Sequence, residues 1–194
     1  MRRTRRYVQP TVAQVQEELD RSRKRIQFAS VVRSTIYILI TVAAAAILIA
    51  TLLLPVLRIY GSSMVPTLSE GEIVVSLKGS SFEQGDIVAF YYNNKILVKR
   101  VICGPGDWVN FKEDGTVLVN GNVIDEPYIQ EPDIGICDIE LPYQVPEGSF
   151  FVMGDLRATS VDSRSSSLGC VPRDQIVGRI IFRVWPLKEL GTVE

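Results

Sequence analysis

The feature that most constrains this chain is a run of 24 residues without a charged side chain, from Ser34 to Leu57. As an α-helix the run is about 36 Å long, which exceeds the roughly 30 Å thickness of the hydrocarbon core of a bilayer. The run is apolar on all faces, which disfavours a half-buried amphipathic helix. A cleaved leader is also disfavoured, because its apolar part would be shorter and would begin nearer the N-terminus. We predict a single transmembrane helix over residues 34–57.

The charges on either side of this run predict its orientation. Residues 1–34 carry nine Lys and Arg side chains against three Asp and Glu, whereas the other 160 residues carry 12 basic and 19 acidic side chains. Basic residues flank the cytoplasmic end of a membrane span. We therefore expect a cytoplasmic tail at residues 1–33 that contacts the lipid bilayer and not nucleic acid, and an extracellular domain at residues 58–194, in a single-pass protein of the plasma membrane. Within the tail, Thr11-x-x-Gln14 predicts a capping box at the start of a helix.

After the span the sequence changes to short runs of β-branched and aromatic residues. Asn120-Gly121 and Asp114-Gly115 lie between such runs, which indicates hairpin turns. Because no long amphipathic pattern interrupts the runs, we expect a mostly β fold, a curled antiparallel sheet or barrel on a single N-terminal transmembrane helix. The predicted strands are 73–75, 87–90, 96–98, 108–109, 117–119, 123–124, 150–152 and 180–184.

The composition restricts the chemistry that the domain can perform. The chain contains no histidine, which excludes Ser-His-Asp and Cys-His sites and any histidine-ligated metal. A general base must therefore be Lys, Asp, Glu, Tyr or Cys. Cys103, Cys137 and Cys170 lack C-x-x-C spacing and give no support to a zinc or redox site. Their odd number leaves at least one thiol free or bonded to another molecule.

Lys99 is a candidate base because it ends an apolar run. Strand alternation places it on the same face as Leu97 and Val101, and an inward face would remove water from its amine. Burial lowers the pKa of a lysine by up to about 3–5 units, which is enough to bring it from about 10.4 to about 7–8. The alternative is a lysine that reaches from the strand end to solvent, which is the more common case for an arbitrary lysine.

Ser63 is the candidate nucleophile. It follows the predicted span by six residues, close to where the bilayer ends, and Gly61 and Pro66 predict a turn that presents its side chain. The alternative is an ordinary serine in a polar linker.

Several separated motifs occur together in this chain. They are Ser63-Met64-x-Pro66-Thr67-Leu68, Lys99-Arg100 followed by Gly104-x-Gly106-Asp107, and Gly154-Asp155-x-Arg157 with Ser160-x-Asp162-Ser163-Arg164. In this order they resemble the motifs of the type I signal peptidases, the bacterial leader peptidases, from the span to about residue 185. The short stretch between Gly106 and Gly154 is similar to the compact Gram-positive members.

The resemblance implies a membrane-bound serine endopeptidase that removes N-terminal signal peptides from exported preproteins with a Ser-Lys dyad and without a cofactor or metal. It implies that Ser63 is the nucleophile and Lys99 the general base. The supporting residues that it implies are Ser160, which orients the amine, the Asp162–Arg164 ion pair, and the structural residues Arg100 and Asp155. The substrate is expected near Gly61, Ser62, Met64 and Pro66.

Two positions depart from the family pattern. Gly61 stands where Gram-negative members have a serine that helps to bind the oxyanion, so we expect the backbone N–H of Ser63 to donate there. Leu156 stands where asparagine is usual.

Two alternatives also stay open: the acidic and basic residues at 155–164 could form a solvated surface turn, and the domain could be an inactive, membrane-tethered β-domain that binds exported peptides.

Overall fold

The computed structural model of the protein describes residues 11–79 and 81–193. The first four arginines of the predicted tail, Arg2, Arg3, Arg5 and Arg6, lie outside the described residues. The chain divides into two compact units, one that ends at Ile49 and one that begins at Ala50.

The described part of the first unit is helical: α1 spans Val12–Leu53, and its last four residues, 50–53, belong to the second unit. The predicted capping interaction is present at its start: the backbone N–H of Thr11 donates to Oε1 of Gln14 at 3.0 Å, and Val15 N–H donates to the Thr11 carbonyl at 3.1 Å. Each of the 42 residues of α1 is exposed. By length and composition this helix is long and apolar enough to cross a membrane.

The helix ends at Leu53, four residues before the end of the predicted span. Pro55 explains the difference, because proline has no N–H and disfavours helical backbone at the residue before it. The chain then becomes extended, and strand β1, Val56–Arg58, pairs with Ile73–Val75. Leu57 packs against a hydrophobic cluster of the second unit. The last apolar residues of the run therefore belong to the β unit.

Within the described residues the β unit contains an eight-stranded sheet and a four-stranded sheet in which every pair of strands is antiparallel. The strands after β1 are β2 Ile73–Leu77, β3 Ile87–Tyr92, β4 Lys95–Cys103, β5 Trp108–Phe111, β6 Val117–Val119, β7 Asn122–Val123, β8 Tyr143–Gln144, β9 Ser149–Met153, β10 Val171–Pro172, β11 Ile176–Trp185 and β12 Gly191–Thr192. Short 3₁₀ helices lie at Arg173–Gln175 and Leu187–Glu189. The predicted mostly β, antiparallel fold is confirmed.

The larger sheet has the order β1-β2-β11-β3-β4-β9-β10, with β12 on β11, and the smaller has the order β7-β6-β5-β8. The Asn120-Gly121 turn joins β6 to β7 with positive φ at both residues, 52° and 80°, as the hairpin signal predicts. Asn93 and Asn94, at φ 44° and 61°, form a similar turn between β3 and β4 that the sequence analysis did not identify. Asparagine tolerates this left-handed backbone better than most residues, so the pair is a weaker form of the same signal.

Strand β4 brings the candidate base into the interior. It lies between β3 and β9, so that Lys99 is opposite Val88, and Arg100 is opposite both Ile87 and Met153. The first residues of β4 are exposed, whereas its last five, residues 99–103, are buried. A lysine at this position is therefore a strand-interior residue and does not reach solvent at a strand end.

Candidate active site

Lys99 is buried, with 3% of its surface exposed, and its amine Nζ donates a hydrogen bond to Oγ of Ser160 at 2.8 Å. Burial lowers the pKa of Lys99 to about 8, because the charged form loses its hydration in the interior. The carboxylates of Asp162 and Asp155 act in the opposite direction, and the Arg164 cation adds to the lowering. Within residues 11–79 and 81–193 no carboxylate forms an ion pair with this amine, and it loses its proton far more readily than an exposed lysine.

Gly154 lies between the candidate serines. A Cβ atom on Gly154 would lie 2.3 Å from Oγ of Ser160 and 2.5 Å from the carbonyl oxygen of Ser63, and both distances are too short for real atoms. Ser160 and the backbone of Ser63 therefore approach each other across a position that only glycine can occupy. Since Ser160 contacts Lys99, this close approach brings the Ser63 segment and the buried amine into one site.

Ser63 lies in a turn after β1 and is half-buried. Its carbonyl accepts a hydrogen bond from Leu156 N–H at 3.1 Å, so a backbone contact connects Ser63 to the motif at 154–164. Leu156 uses its backbone here, which explains how the site forms without asparagine at this position. Ser63 and Lys99 both line a cavity of about 660 Å³.

This cavity is a cleft between two stretches of chain. One wall is formed by residues 56–61 with Ser63 and Met64, and the other by residues 95–99 of β4. Of the predicted substrate-binding residues, Gly61 and Met64 line the cleft. Ser62 and Pro66 are exposed and are not among the described residues that line it.

Asp162 and Arg164 form a buried ion pair. Nε and Nη2 of Arg164 donate to the two carboxylate oxygens of Asp162 at 2.8 and 2.9 Å, and Gly154 N–H donates to Asp162 Oδ2 at 3.0 Å. Burial opposes ionisation of Asp162, but its hydrogen bonds from Arg164 and the Arg164 charge hold its pKa below the ordinary value. The Ser160 hydroxyl contributes to the same lowering. The carboxylate is therefore ionised, and its charge interacts with the hydroxyl of the serine that contacts Lys99.

Arg100 and Asp155 form a second buried pair, with Nε–Oδ1 at 3.0 Å and Nη2–Oδ2 at 2.8 Å. Thr67 joins this pair to the turn that carries Ser63: its hydroxyl donates to Asp155 and accepts from Arg100 Nη2 at 3.2 Å. The Arg183 guanidinium also donates to the Thr67 carbonyl at 2.6 Å. Arg183 lies outside all the motifs, and the sequence analysis missed it.

The alternative of a solvated surface turn at 155–164 is wrong. Arg157 is 2% exposed and pairs with Glu126, with Nη1–Oε2 at 3.1 Å and Nη2–Oε1 at 2.5 Å. Asp155, Asp162 and Arg164 are also buried. The sequence analysis missed Glu126, and no signal indicated it, because an acidic residue before proline in an irregular segment is typical of an exposed loop.

The three cysteines are free thiols. Burial raises the pKa of Cys103 to about 12 and that of Cys170 to about 11, so neither is a thiolate at neutral pH. Among the described residues no group of three or more Cys, Asp or Glu side chains is arranged to hold a metal ion. Of the described residues that line the cleft, Lys99 is the one whose pKa is shifted far from its ordinary value.

The chemistry of the site defines a class. A buried lysine of pKa about 8 that donates to a serine and lines a cleft together with a turn serine has the properties that a general base needs in a chain without histidine. Such an arrangement on an antiparallel β unit is what a serine hydrolase with a lysine base requires.

Comparison with known proteins identifies the family. Residues 32–185 match the family described as "Signal peptidase, peptidase S26". The chain is 41% identical over 151 residues to signal peptidase IB of Staphylococcus aureus strain COL, covering 68% of this chain and 78% of that protein. It is 38% identical over 167 residues to signal peptidase I of Bacillus caldolyticus, covering 76% and 90%. The chain belongs to the signal peptidase family, peptidase S26, a family of serine endopeptidases.

One solved structure in the comparison is a signal peptidase I from Enterococcus faecalis. It is 29% identical, aligns with a TM-score of 0.43, and covers 52% of this chain and 97% of that one.

Proposed function

We propose that this chain is a membrane-bound serine endopeptidase that removes N-terminal signal peptides from exported preproteins. The observation that carries the proposal is the buried Lys99 amine, whose pKa is lowered to about 8 and which shares a cleft with Ser63. The names of the relatives, signal peptidase IB and signal peptidase I, support this substrate class.

In the proposed mechanism Lys99 acts as the general base. With a pKa of about 8, about a tenth of the amine is neutral at pH 7, against well under a thousandth for an ordinary lysine. Ser160 accepts one N–H of the amine at 2.8 Å and interacts through its hydroxyl with Asp162. We expect this hydrogen bond to hold the amine in an orientation in which its lone pair can accept the proton of the Ser63 hydroxyl.

The reaction then proceeds in two steps. Neutral Lys99 takes the hydroxyl proton of Ser63 as the oxygen attacks the substrate carbonyl, and the resulting ammonium gives a proton to the leaving amine. A water molecule that has lost a proton to the same amine then hydrolyses the acyl-enzyme. The backbone N–H of Ser63 donates to the oxyanion, since Gly61 has no hydroxyl to offer. No step in this proposal needs a metal or a cofactor.

The substrate binds as an extended strand in the cleft. Strand β1 is at the end of the larger sheet's strand order. The opposite wall is formed by residues 95–99 of β4, and β9 pairs with β4 only from Arg100 onward, so both walls offer backbone for strand addition. Gly61 and Met64 line the floor of the subsites, which accept small side chains such as alanine before the cleavage site. Ser62 and Pro66 belong to the turn that presents Ser63 and do not contact the substrate in this proposal.

The helix α1 anchors the enzyme in the plasma membrane. Its charge-free part begins after Arg33, and the basic residues Arg21, Arg23, Lys24 and Arg25 precede it. By the positive-inside preference the N-terminus is cytoplasmic and the β unit is outside the cell, where exported substrates emerge.

A cleavage assay tests the proposal directly. The full chain in detergent is expected to cleave a preprotein after its small-residue site, and Ser63→Ala and Lys99→Ala are each expected to abolish this while circular dichroism stays unchanged. Ser62→Ala is the matched control, because Ser62 is an exposed neighbour of Ser63. The rate should rise through an apparent pKa of about 8 and not near 10. Undiminished cleavage by either variant would reject the dyad, and binding of the preprotein without cleavage would favour an inactive peptide-binding domain.

A further inference from the structure

The segment between β7 and β8 makes contacts that the motifs do not account for. We call residues 126–138 the strap. Three buried arginines of the site, Arg100, Arg157 and Arg164, each contact both the 154–162 motif and the strap. The strap is irregular in structure, and it contains none of the residues that the resemblance to signal peptidases assigns to the site.

Each arginine meets a different part of the strap. The Arg100 guanidinium lies over the Tyr128 ring, 3.8 Å from its centroid. Nη1 of Arg164 donates to the carbonyl oxygens of Asp133 and Ile134 at 3.1 and 2.8 Å. Arg157 pairs with the Glu126 carboxylate through both terminal nitrogens. Glu126 thus differs from the other strap contacts, because it is a charged side chain that neutralises a buried cation.

Arg157 connects this pair to the site. Its Nε donates to the carbonyl of Gly154 at 3.0 Å, and its own carbonyl accepts from Arg164 Nη2 at 2.8 Å. Gly154 is the residue whose Cα lies against both Ser160 Oγ and the Ser63 carbonyl. The position of the Gly154 peptide therefore sets the spacing between Ser63 and the serine that orients Lys99.

Glu126 has no substitute as the partner of Arg157. The motif carboxylates Asp155 and Asp162 are each occupied by their own arginine, Arg100 and Arg164. The side chains of Arg157 and Glu126 are 0% and 7% exposed, so water cannot replace a lost carboxylate at the guanidinium. Without Glu126 the guanidinium must move toward solvent, and Nε can no longer hold the Gly154 carbonyl.

From these contacts we infer that Glu126 is a positioning residue of the active site, which fixes the Gly154 peptide through Arg157 and so holds Ser160 and Lys99 in their productive arrangement. This inference rests on the proposed function and adds to it a residue outside the family motifs. Glu126 touches neither the cleft nor the reacting atoms, and it acts only through Arg157.

The test compares Glu126→Gln with Asp125→Asn in the full chain in detergent, using a preprotein substrate. Asp125 is the adjacent carboxylate and is exposed, so its variant controls for loss of one negative charge at this place. Glu126→Gln is expected to lower kcat by roughly tenfold to a hundredfold with KM changed less than about twofold, since a displacement of about 1 Å in a catalytic group costs about that much. Asp125→Asn is expected to match the wild type.

The pH dependence of kcat separates positioning from a general loss of structure. If the Gly154 peptide relaxes, water reaches the Lys99 amine and its pKa rises from about 8 toward 10.5, so the acid limb of the kcat profile moves to higher pH in Glu126→Gln. A variant with wild-type kcat overturns the inference. So does a fall in kcat that equals the loss of folded protein and leaves the acid limb in place.

Should Glu126→Gln not fold, Glu126→Asp provides the same readouts, because it keeps the charge but is too short to meet both terminal nitrogens at the present distances. A shifted acid limb in that variant supports the inference, and an unchanged one overturns it. The wild type serves as the reference throughout. Absence of cleavage by the wild type would refute the proposed function, whereas wild-type cleavage with unaltered Glu126 variants would refute the role of Glu126 alone.

Discussion

The ion pairs on helix α1 are exposed to solvent, whereas the ion pairs near Lys99 in the β unit are buried. On the helix, Arg21 meets Glu17 and Glu18 at 3.5 Å, with side chains that are 69–75% exposed. At the site, Arg164 and Asp162 are 0% exposed and meet at 2.8 Å. The first arrangement follows from helical spacing, whereas the second requires a carboxylate placed by the fold.

The buried cations of the site differ in whether a carboxylate lies beside them. Arg100, Arg157 and Arg164 each have a carboxylate within hydrogen-bond distance, whereas Lys99 donates to a neutral serine. Burying a cation without a paired anion costs free energy and lowers its pKa. In the part of the chain that the structure describes, the buried carboxylates of the site therefore pair with arginines that contact the backbone, and none of them forms an ion pair with the Lys99 amine.

The largest effect is expected when a buried pair is broken. Asp162→Asn keeps the shape of the side chain but leaves the Arg164 cation buried without its anion, which typically costs about 3–5 kcal/mol. We expect the free energy of unfolding to fall by about that amount, measured by denaturant titration of the full chain in detergent. Cleavage should also be lost, because Asp162 contacts both Gly154 N–H and Ser160. A variant as stable as the wild type would show that the pair is dispensable.

An effect of opposite sign is expected at the unpaired cation. Lys99→Met removes the buried amine, whose pKa falls from 10.5 to about 8 on folding, a difference worth about 3 kcal/mol. Loss of the hydrogen bond to Ser160 offsets about 1 kcal/mol. At pH 7 the inactive variant should therefore be more stable than the wild type by about 2 kcal/mol.

The pH dependence of this difference follows from the sign of the shift. Below pH 8 the amine is protonated in both folded and unfolded states, and the full cost of burying it is present. Between pH 8 and pH 10.5 only the unfolded state keeps the proton, so the wild type gains stability as pH rises. The unfolding free energies of the two proteins should converge across this range and then cross, because near pH 10.5 the burial cost is gone and the hydrogen bond to Ser160 still favours the wild type. A difference that stays constant with pH would mean that the Lys99 amine is not desolvated.

The smallest effect is expected on the helix. Glu17→Gln removes one of the two acidic partners of Arg21, in a pair that is mostly exposed, and such pairs contribute little because water solvates both charges. We expect no measurable change in thermal unfolding or in cleavage. A clear loss of either would erase the contrast between the two regions and would indicate that these charges contact another part of the system.

Much of the fold was predictable because local patterns decide it. The run of 24 uncharged residues predicts a helix, and residues 87–90 and 150–152 predict strands that the structure contains as parts of β3 and β9. The end of the helix was not predicted, because Val56 and Leu57 are as suitable for a membrane as for a sheet, and pairing with β2 decides between them.

The candidate site was predictable only in part. The resemblance to the signal peptidases implied a contact between Ser160 and the Lys99 amine, and the structure brings these two side chains together. Whether the polar residues at 155–164 form a surface turn or a buried network could not be read from the sequence, since the same residue types serve both. Glu126 and Arg183 were missed because their partners, Arg157 and the Thr67 carbonyl, are 31 and 116 residues away.

The sequence by itself determined that this chain has an apolar helix before an antiparallel β unit, and that any base in it is not a histidine. Those are properties of local periodicity and of composition. The tertiary structure alone decided which cations are paired and which is not, because desolvation depends on everything packed around a group. Lys99 has a pKa of about 8 since β3, β9 and the 154–164 motif exclude water from it while the nearby carboxylates engage arginines.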